Sequence, residues 1–146
     1  MRFILALASA MTIATIATGC TTHTIEPLAE NQTRISLETR PADQLSAYRL
    51  NGELVRGLRF PDLSPGEHSL QVRLRYERPG SGQTGSLFGD PQWRTCILGL
   101  EYKNFRGGGE YRLYAEQRGQ RSIGWLESAD GERLARAEII RCGPAA

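Results

Sequence analysis

Leu70, Val72, Leu74 and Tyr76 alternate without a break with Ser69, Gln71, Arg73 and Arg75, and no other feature of the chain narrows its fold so far. A period of two sends alternate side chains to opposite faces of an extended backbone, so this segment is predicted to be a strand with one buried and one wet face. The same signal recurs at residues 34–39, 47–51, 54–60, 95–102, 111–116, 122–128 and 133–140. Residues 131–140 carry helix-forming Ala, Glu, Arg and Leu, but they follow an Asp130-Gly131 turn, which favours a strand. Eight short strands with turn signals between them predict an all-β fold: a single antiparallel β-sandwich domain, or an open barrel.

Turn chemistry places two hairpins. Asn51-Gly52 supplies the positive φ angles of a two-residue type I′ turn. Leu50 then faces Glu53 and Tyr48 faces Val55, which puts Tyr48, Leu50 and Val55 on a core face with Arg49 pointing away. The Asp130-Gly131 turn pairs Trp125 with Arg136 and Leu126 with Ala135. Trp125 is then either a core side chain or the platform of a cation-π contact from Arg136. Gly107, Gly108 and Gly109 read as a hairpin loop between strands ending near Phe105 and starting near Tyr111. Residues 79–92 form the one long irregular stretch, and there Leu87 and Phe88 have no evident core partner. They are candidates for docking on a partner or the membrane, or for covering one end of the sandwich.

The first residues have a different character. Arg2 precedes an almost uninterrupted run of Ala, Ile, Leu, Met and Thr from residue 3 to 17, and Ala17-Thr18-Gly19 then meets Cys20. The run is too short for the roughly 20 residues that span a bilayer, and its charge, apolar core and small-residue end fit an export signal. The stretch resembles the lipobox of bacterial lipoproteins, although Ala17 stands where that family usually has Leu. The resemblance implies removal of residues 1–19 and acylation of Cys20, with enough acyl chain for stable attachment to a membrane. Ordinary signal cleavage, leaving a soluble exported protein, is the alternative. Thr21 occupies the position where, in that family, Asp favours the inner membrane, so the resemblance implies the periplasmic face of the outer membrane; the inner membrane and a soluble periplasmic location are the alternatives.

The rest of the chain divides accordingly. Residues 20–32 are polar, include Pro27 and read as a lipidated tether; residues 33–143 are the β domain and residues 144–146 a disordered tail. Cleavage leaves 17 basic and 16 acidic side chains, too balanced for a polyanion-binding surface by net charge alone, and there is no nucleic-acid signature. With Cys20 lipidated, Cys96 and Cys142 remain as an even pair in an oxidising compartment, where a structural disulfide is expected. A redox or metal pair lacks the Cys-x-x-Cys spacing and the histidines it would need.

An Asn-Gly hairpin followed by Pro65-Gly66-x-His68 and Leu70-x-Val72-x-Leu74 resembles the PEGA domain, a small β module of bacterial envelope proteins, over residues 48–76. Trp93 through Cys96, Gly108-Gly109-Glu110-Tyr111 and residues 125–131 are similar to a pattern of small lipoproteins. These resemblances imply a binding or structural role and carry no catalytic residues over. His68 reads as a turn-stabilising or strand-edge residue, and no nucleophile motif accompanies it. Asp62, Glu67, Asp90, Glu101, Glu110 and Glu127 could pair only through tertiary proximity.

No metal or cofactor is expected. Three functions stay open: a non-enzymatic protein-interaction or assembly component of the envelope; a binder of anionic glycan or lipid through Arg73, Arg75, Arg94 and Arg112; and an envelope hydrolase, which would need carboxylates clustered in a cleft. Oligomeric state is left open.

Overall fold

The computed structural model describes residues 26–78 and 92–144. Its eight strands are β1 (Arg34–Glu38), β2 (Gln44–Leu50), β3 (Glu53–Leu54), β4 (Gly66–Arg78), β5 (Gln92–Phe105), β6 (Glu110–Arg118), β7 (Arg121–Ser128) and β8 (Arg133–Gly143). They form one sheet in the order β1-β6-β7-β8-β5-β4-β2-β3, curled into a half-barrel. The open-barrel form of the expectation therefore describes it more closely than two stacked sheets.

The concave face holds the core. His68, Leu70, Val72, Leu74 and Tyr76 of β4 face inward, as do Cys96, Leu98 and Leu100 of β5 and Tyr111, Leu113 and Ala115 of β6. Phe105, Tyr102 and Tyr111 meet edge to face near one end, with Phe105 ring centroids 4.9 and 5.0 Å from the other two. Such geometry adds to the apolar area these rings bury.

Two β-bulges decide which side chains enter this core. On β2, Ala47 pairs with Val72 and Arg49 with Gln71, which leaves Tyr48 as the extra residue. The slip lets Leu45, Ala47 and Leu50 all face the core despite their uneven spacing, and it turns Tyr48 to the outer face. Tyr48 was expected in the core, and the bulge is the reason it is not. On β8, Ile97 pairs with Arg141 and Leu98 with Ile139, so Ile140 is extra. Without that residue Cys142 would lie on the face opposite Cys96; with it, the two cysteines are register partners and form the disulfide.

Three further expectations are corrected. The sheet is mixed, since β1 runs parallel to β6 from Arg34↔Glu110 to Glu38↔Tyr114. Residues 54–60 are strand only at Glu53–Leu54. Beyond Val55 the chain turns at Gly57 (φ 149°), touches β2 once more and then bridges toward β1. There Leu58 O accepts from Ala47 N, and Thr33 and Leu63 exchange two backbone hydrogen bonds of 2.8 Å. Phe60 and Leu63 fill the core beneath this bridge, and Arg34 clasps Asp62 across it at 2.9 and 2.7 Å. Finally, the three glycines do not close a hairpin, because β8 and β7 separate β5 from β6 in the sheet. They carry the chain over the barrel end instead. A Cβ at Gly107 would stand 2.5 Å from the Glu30 carbonyl, and Gly108 N donates to Gln32 O at 2.7 Å.

The Asn51-Gly52 turn forms as expected, with φ of 50° and 87° and Leu50 opposite Glu53. Its side chains also anchor the next turn. Asn51 Oδ1 accepts from Ser69 N at 3.0 Å, and its amide lies 3.0 Å from His68 Nδ1. His68 Nε2 sits 2.7 Å from the Ser64 carbonyl, which can only accept, so Nε2 carries the proton and Nδ1 accepts from Asn51. This is the turn-stabilising placement.

Candidate functional site

The outer face of the half-barrel carries the polar chemistry, and the four arginines singled out by sequence do not share one surface there. Arg73 and Arg75, two residues apart on β4, project together from the outer face. Arg94 is the register partner of inward-facing Tyr76, and it lines a separate cleft of about 490 Å³ with Tyr76 and Arg121. Arg112 lies across the sheet on β6, 3.2 Å from Glu38 and 3.2 Å from Glu127, so two carboxylates already compensate its charge.

Around Arg112 the outer face is a self-contained network. Trp125 donates from its indole nitrogen to Glu127 and lies 4.7 Å from the Tyr114 ring. Register pairing of Trp125 with Arg136 and of Leu126 with Ala135 is as expected. The guanidinium over the indole, however, belongs to Arg133, 4.0 Å from the ring centroid. Trp125 is half-buried on the outer face, not in the core: its neighbours Gly124 and Leu126 occupy the inward positions. Beside it, Glu116 accepts from Arg118 and from the Tyr114 hydroxyl, and burial followed by this carboxylate pushes the Tyr114 phenol up.

Arg73 and Arg75 differ in having no carboxylate partner among the described residues. Each is held by an aromatic ring: Arg75 lies 4.6 Å from the centroid of Trp93, and Arg73 lies 4.9 Å from that of Tyr48. Trp93 pairs with Glu77, which sets it diagonally across β5 from Arg75, within reach of a long side chain. Tyr48 owes its place to the β2 bulge. Its hydroxyl accepts from Arg141 at 3.2 Å, while Arg49 lies 5.4 Å from its ring centroid. The Arg49 guanidinium, with Arg141 adding to it, draws the Tyr48 phenol below its ordinary range. Ile97 is the register partner of both Arg73 and Arg141, and it is 1% exposed although it faces away from the core. The Tyr48-centred cluster shields it.

Arg73, Arg75 and Trp93 form one wall of a cleft of about 690 Å³. The opposite wall is the β1–β2 turn and the start of β2, with Thr39, Asp43, Gln44 and Ser46; Leu45, Leu58, Thr95 and Pro144 also border it. Four buried side-chain polar atoms lack a hydrogen-bond partner among the described residues, and Thr39 Oγ1, Asp43 Oδ2 and Arg73 Nε are three of them. All three belong to residues of this cleft; the fourth is Arg112 Nε. Unpaired buried polar atoms are rare enough in folded proteins that three in one place call for a cause.

Sequence reasoning found Arg73 and Arg75 but missed Thr39, Asp43 and Trp93. The β4–β5 register would have paired Arg75 with Thr95 and brought Trp93 alongside, but the intervening loop is too long for its sequence to set a register. Of the carboxylates considered, Asp62 pairs with Arg34, Glu67 lies 3.8 Å from Lys103, and Glu127 serves Arg112. Among the described residues no group of three or more His, Cys, Asp or Glu side chains is placed to hold a metal ion. Cys20, Leu87, Phe88 and Asp90 lie outside the described residues. Comparison with protein-family models, curated proteins and solved structures found no match to this chain.

Proposed function

We propose that the chain is a lipid-anchored, periplasm-facing protein of the outer membrane, and that its β domain acts without catalysis as a protein-interaction or assembly component of the cell envelope. Cys20 would carry the lipid, and the disulfide suits an oxidising compartment. The observation that carries the reading is an apolar free edge. β3 ends the sheet, and Leu54 and Leu58 beside it are 63% and 76% exposed. Exposed apolar side chains beside a sheet edge offer a surface on which a segment of another chain can pack. A photo-crosslinking side chain at Leu58 should capture one reproducible envelope protein, and the same probe at exposed Ala129 should not. Equal capture at both positions, or none at either, rejects the reading. Intact mass of the mature chain tests the anchor separately, through acyl mass on Cys20.

A second reading, binding of an anionic envelope glycan or lipid headgroup, has its own support in Arg73 and Arg75 beside Trp93, which have no carboxylate partner among the described residues. Arg75→Glu should abolish retention on glycan or lipid fractions; unchanged retention removes this reading.

A further inference from the structure

We propose that the cleft between Arg75, Trp93 and the Thr39–Asp43 turn binds an acidic saccharide. The inference rests on the anion-binding reading above and specifies its ligand. Two guanidiniums without carboxylate partners among the described residues, each stacked on an aromatic ring, offer donors to a carboxylate, and stacking limits the freedom lost on binding. A site for a bare anion would not also hold a carboxylate. Asp43 lines the same cleft, where it repels an anion but accepts hydrogen bonds from hydroxyl groups. The ligand that satisfies both walls carries negative charge and hydroxyl donors on one small frame. Trp93 and Leu58 supply apolar surface for the C–H face of a sugar ring.

The three unpartnered atoms fit the same ligand. They are shut off from solvent, so a small rotation of Thr39, Asp43 or Arg73 is needed to bring them to a ligand oxygen. A buried polar atom with no partner among the described residues is unfavourable, which favours that rotation when a polyol is present.

Position separates a saccharide from the other anionic candidates. The tether reaches the domain where Gln32 meets Gly108, at the end of the half-barrel that also carries Gly66, the register partner of Phe105. Arg75 lies nine residues farther along β4, about 30 Å away at strand rise. The cleft therefore lies at the end of the half-barrel remote from the tether's point of entry, and to meet a headgroup of the same membrane the domain would have to turn over on that tether. A peptide is disfavoured because β4 and β5 are paired on both edges, so their part of the cleft offers side chains and no free backbone edge.

The test uses the full chain in phosphatidylcholine nanodiscs, with both indole N–H signals followed by NMR. Probes are N-acetylglucosaminyl-N-acetylmuramic acid against neutral chitobiose, tetragalacturonate against neutral maltotetraose, inorganic phosphate, phosphatidylglycerol vesicles and tetraglutamate. At least one acidic saccharide should shift the Trp93 signal while leaving that of Trp125, which also reports an intact fold, in place. Which of the two does so tells a cell-wall glycan from a polyuronate. Its neutral counterpart should bind at least tenfold more weakly, and Arg75→Gln should weaken the acidic form by at least tenfold. Asp43→Asn should weaken saccharide binding and strengthen that of phosphate.

Equal binding of acidic and neutral sugars, stronger saccharide binding by Asp43→Asn, or a response to phosphate, vesicles or tetraglutamate alone overturns the saccharide proposal. The last of these outcomes leaves the anion-binding reading standing. Silence of the Trp93 signal toward every anionic probe overturns both.

Discussion

Reducing the Cys96–Cys142 disulfide should cost this domain about 4 kcal/mol. The two cysteines are 46 residues apart in sequence, and in the chain-entropy model a loop of that size stabilises by about 4 kcal/mol through the freedom it removes from the unfolded chain. The cysteines are direct register partners on neighbouring strands, so the β5–β8 pairing already brings them together in the folded state. Comparing oxidised with reduced protein isolates the cross-link, since no atom is removed from the core around Cys96, which is 0% exposed.

The assay is urea unfolding of the mature chain carrying Cys20→Ser, with and without reductant, followed by tryptophan fluorescence. At slopes of about 1–3 kcal/mol/M, the reduced midpoint should fall by roughly 1.5–4 M, which for a marginally stable domain means unfolding in dilute urea. Unfolding free energies that agree to within about 1 kcal/mol would refute the reasoning. They would mean either that the reduced unfolded chain keeps its ends together or that the bridge strains the native sheet.

Three further perturbations probe other parts of the structure. Asp62→Asn should cost about 0.5–1 kcal/mol at neutral pH, the upper range for a partly exposed pair with two-point geometry. Hydrogen bonding from Arg34 holds the Asp62 carboxyl below the usual carboxylate range, so its contribution is complete above the unfolded-state pKa of about 3.9 and is lost as pH falls through the lowered folded-state value. Midpoints of parent and variant should thus converge on acidification, and a constant gap down to pH 2 would contradict this. Gly124→Val should lower stability by about 2–3 kcal/mol in thermal unfolding, because even a Cβ there meets Tyr114 O at 3.0 Å and the Ala137 and Ala115 methyls at 3.2 and 3.3 Å. Gly143→Ala, with nothing within 4 Å, should leave the melting temperature unchanged. Asn51→Ala should cost about 2 kcal/mol, roughly half from left-handed strain and half from the lost bond to Ser69 N. Asn51→Gly should recover the strain portion, and equal losses in both variants would place the whole effect in the side-chain bonds.

The chain announces its β nature through local physics. Alternation along residues 69–76 is a property of a single strand, and Asn51-Gly52 is a property of a single turn, so both are legible before any partner is known. The same holds for register across a tight turn, where Leu50 meets Glu53 and Trp125 meets Arg136 as expected. Beyond such turns the sequence falls silent. The extra residues Tyr48 and Ile140 look like ordinary strand positions, yet each reverses which face the following side chains occupy. One expels Tyr48 from the core, and the other brings Cys142 to Cys96.

The candidate cleft was legible only in part, and for the same reason. Arg73 and Arg75 could be read from the wet face of one strand, but their setting comes from other segments of the chain: Tyr48 from a bulge, Trp93 from the neighbouring strand β5, Thr39 and Asp43 from the turn that leads into β2. Likewise, Arg112 looks equivalent to Arg73 in sequence and differs because parallel β1 sets Glu38 beside it. By itself, then, the sequence determined the strands, the tight turns and the cysteines available for pairing, since these depend on neighbours along the chain. Only the tertiary structure decided the mixed strand order, the bulges and which arginines stay unpaired, because those follow from pairings between residues that no local periodicity connects.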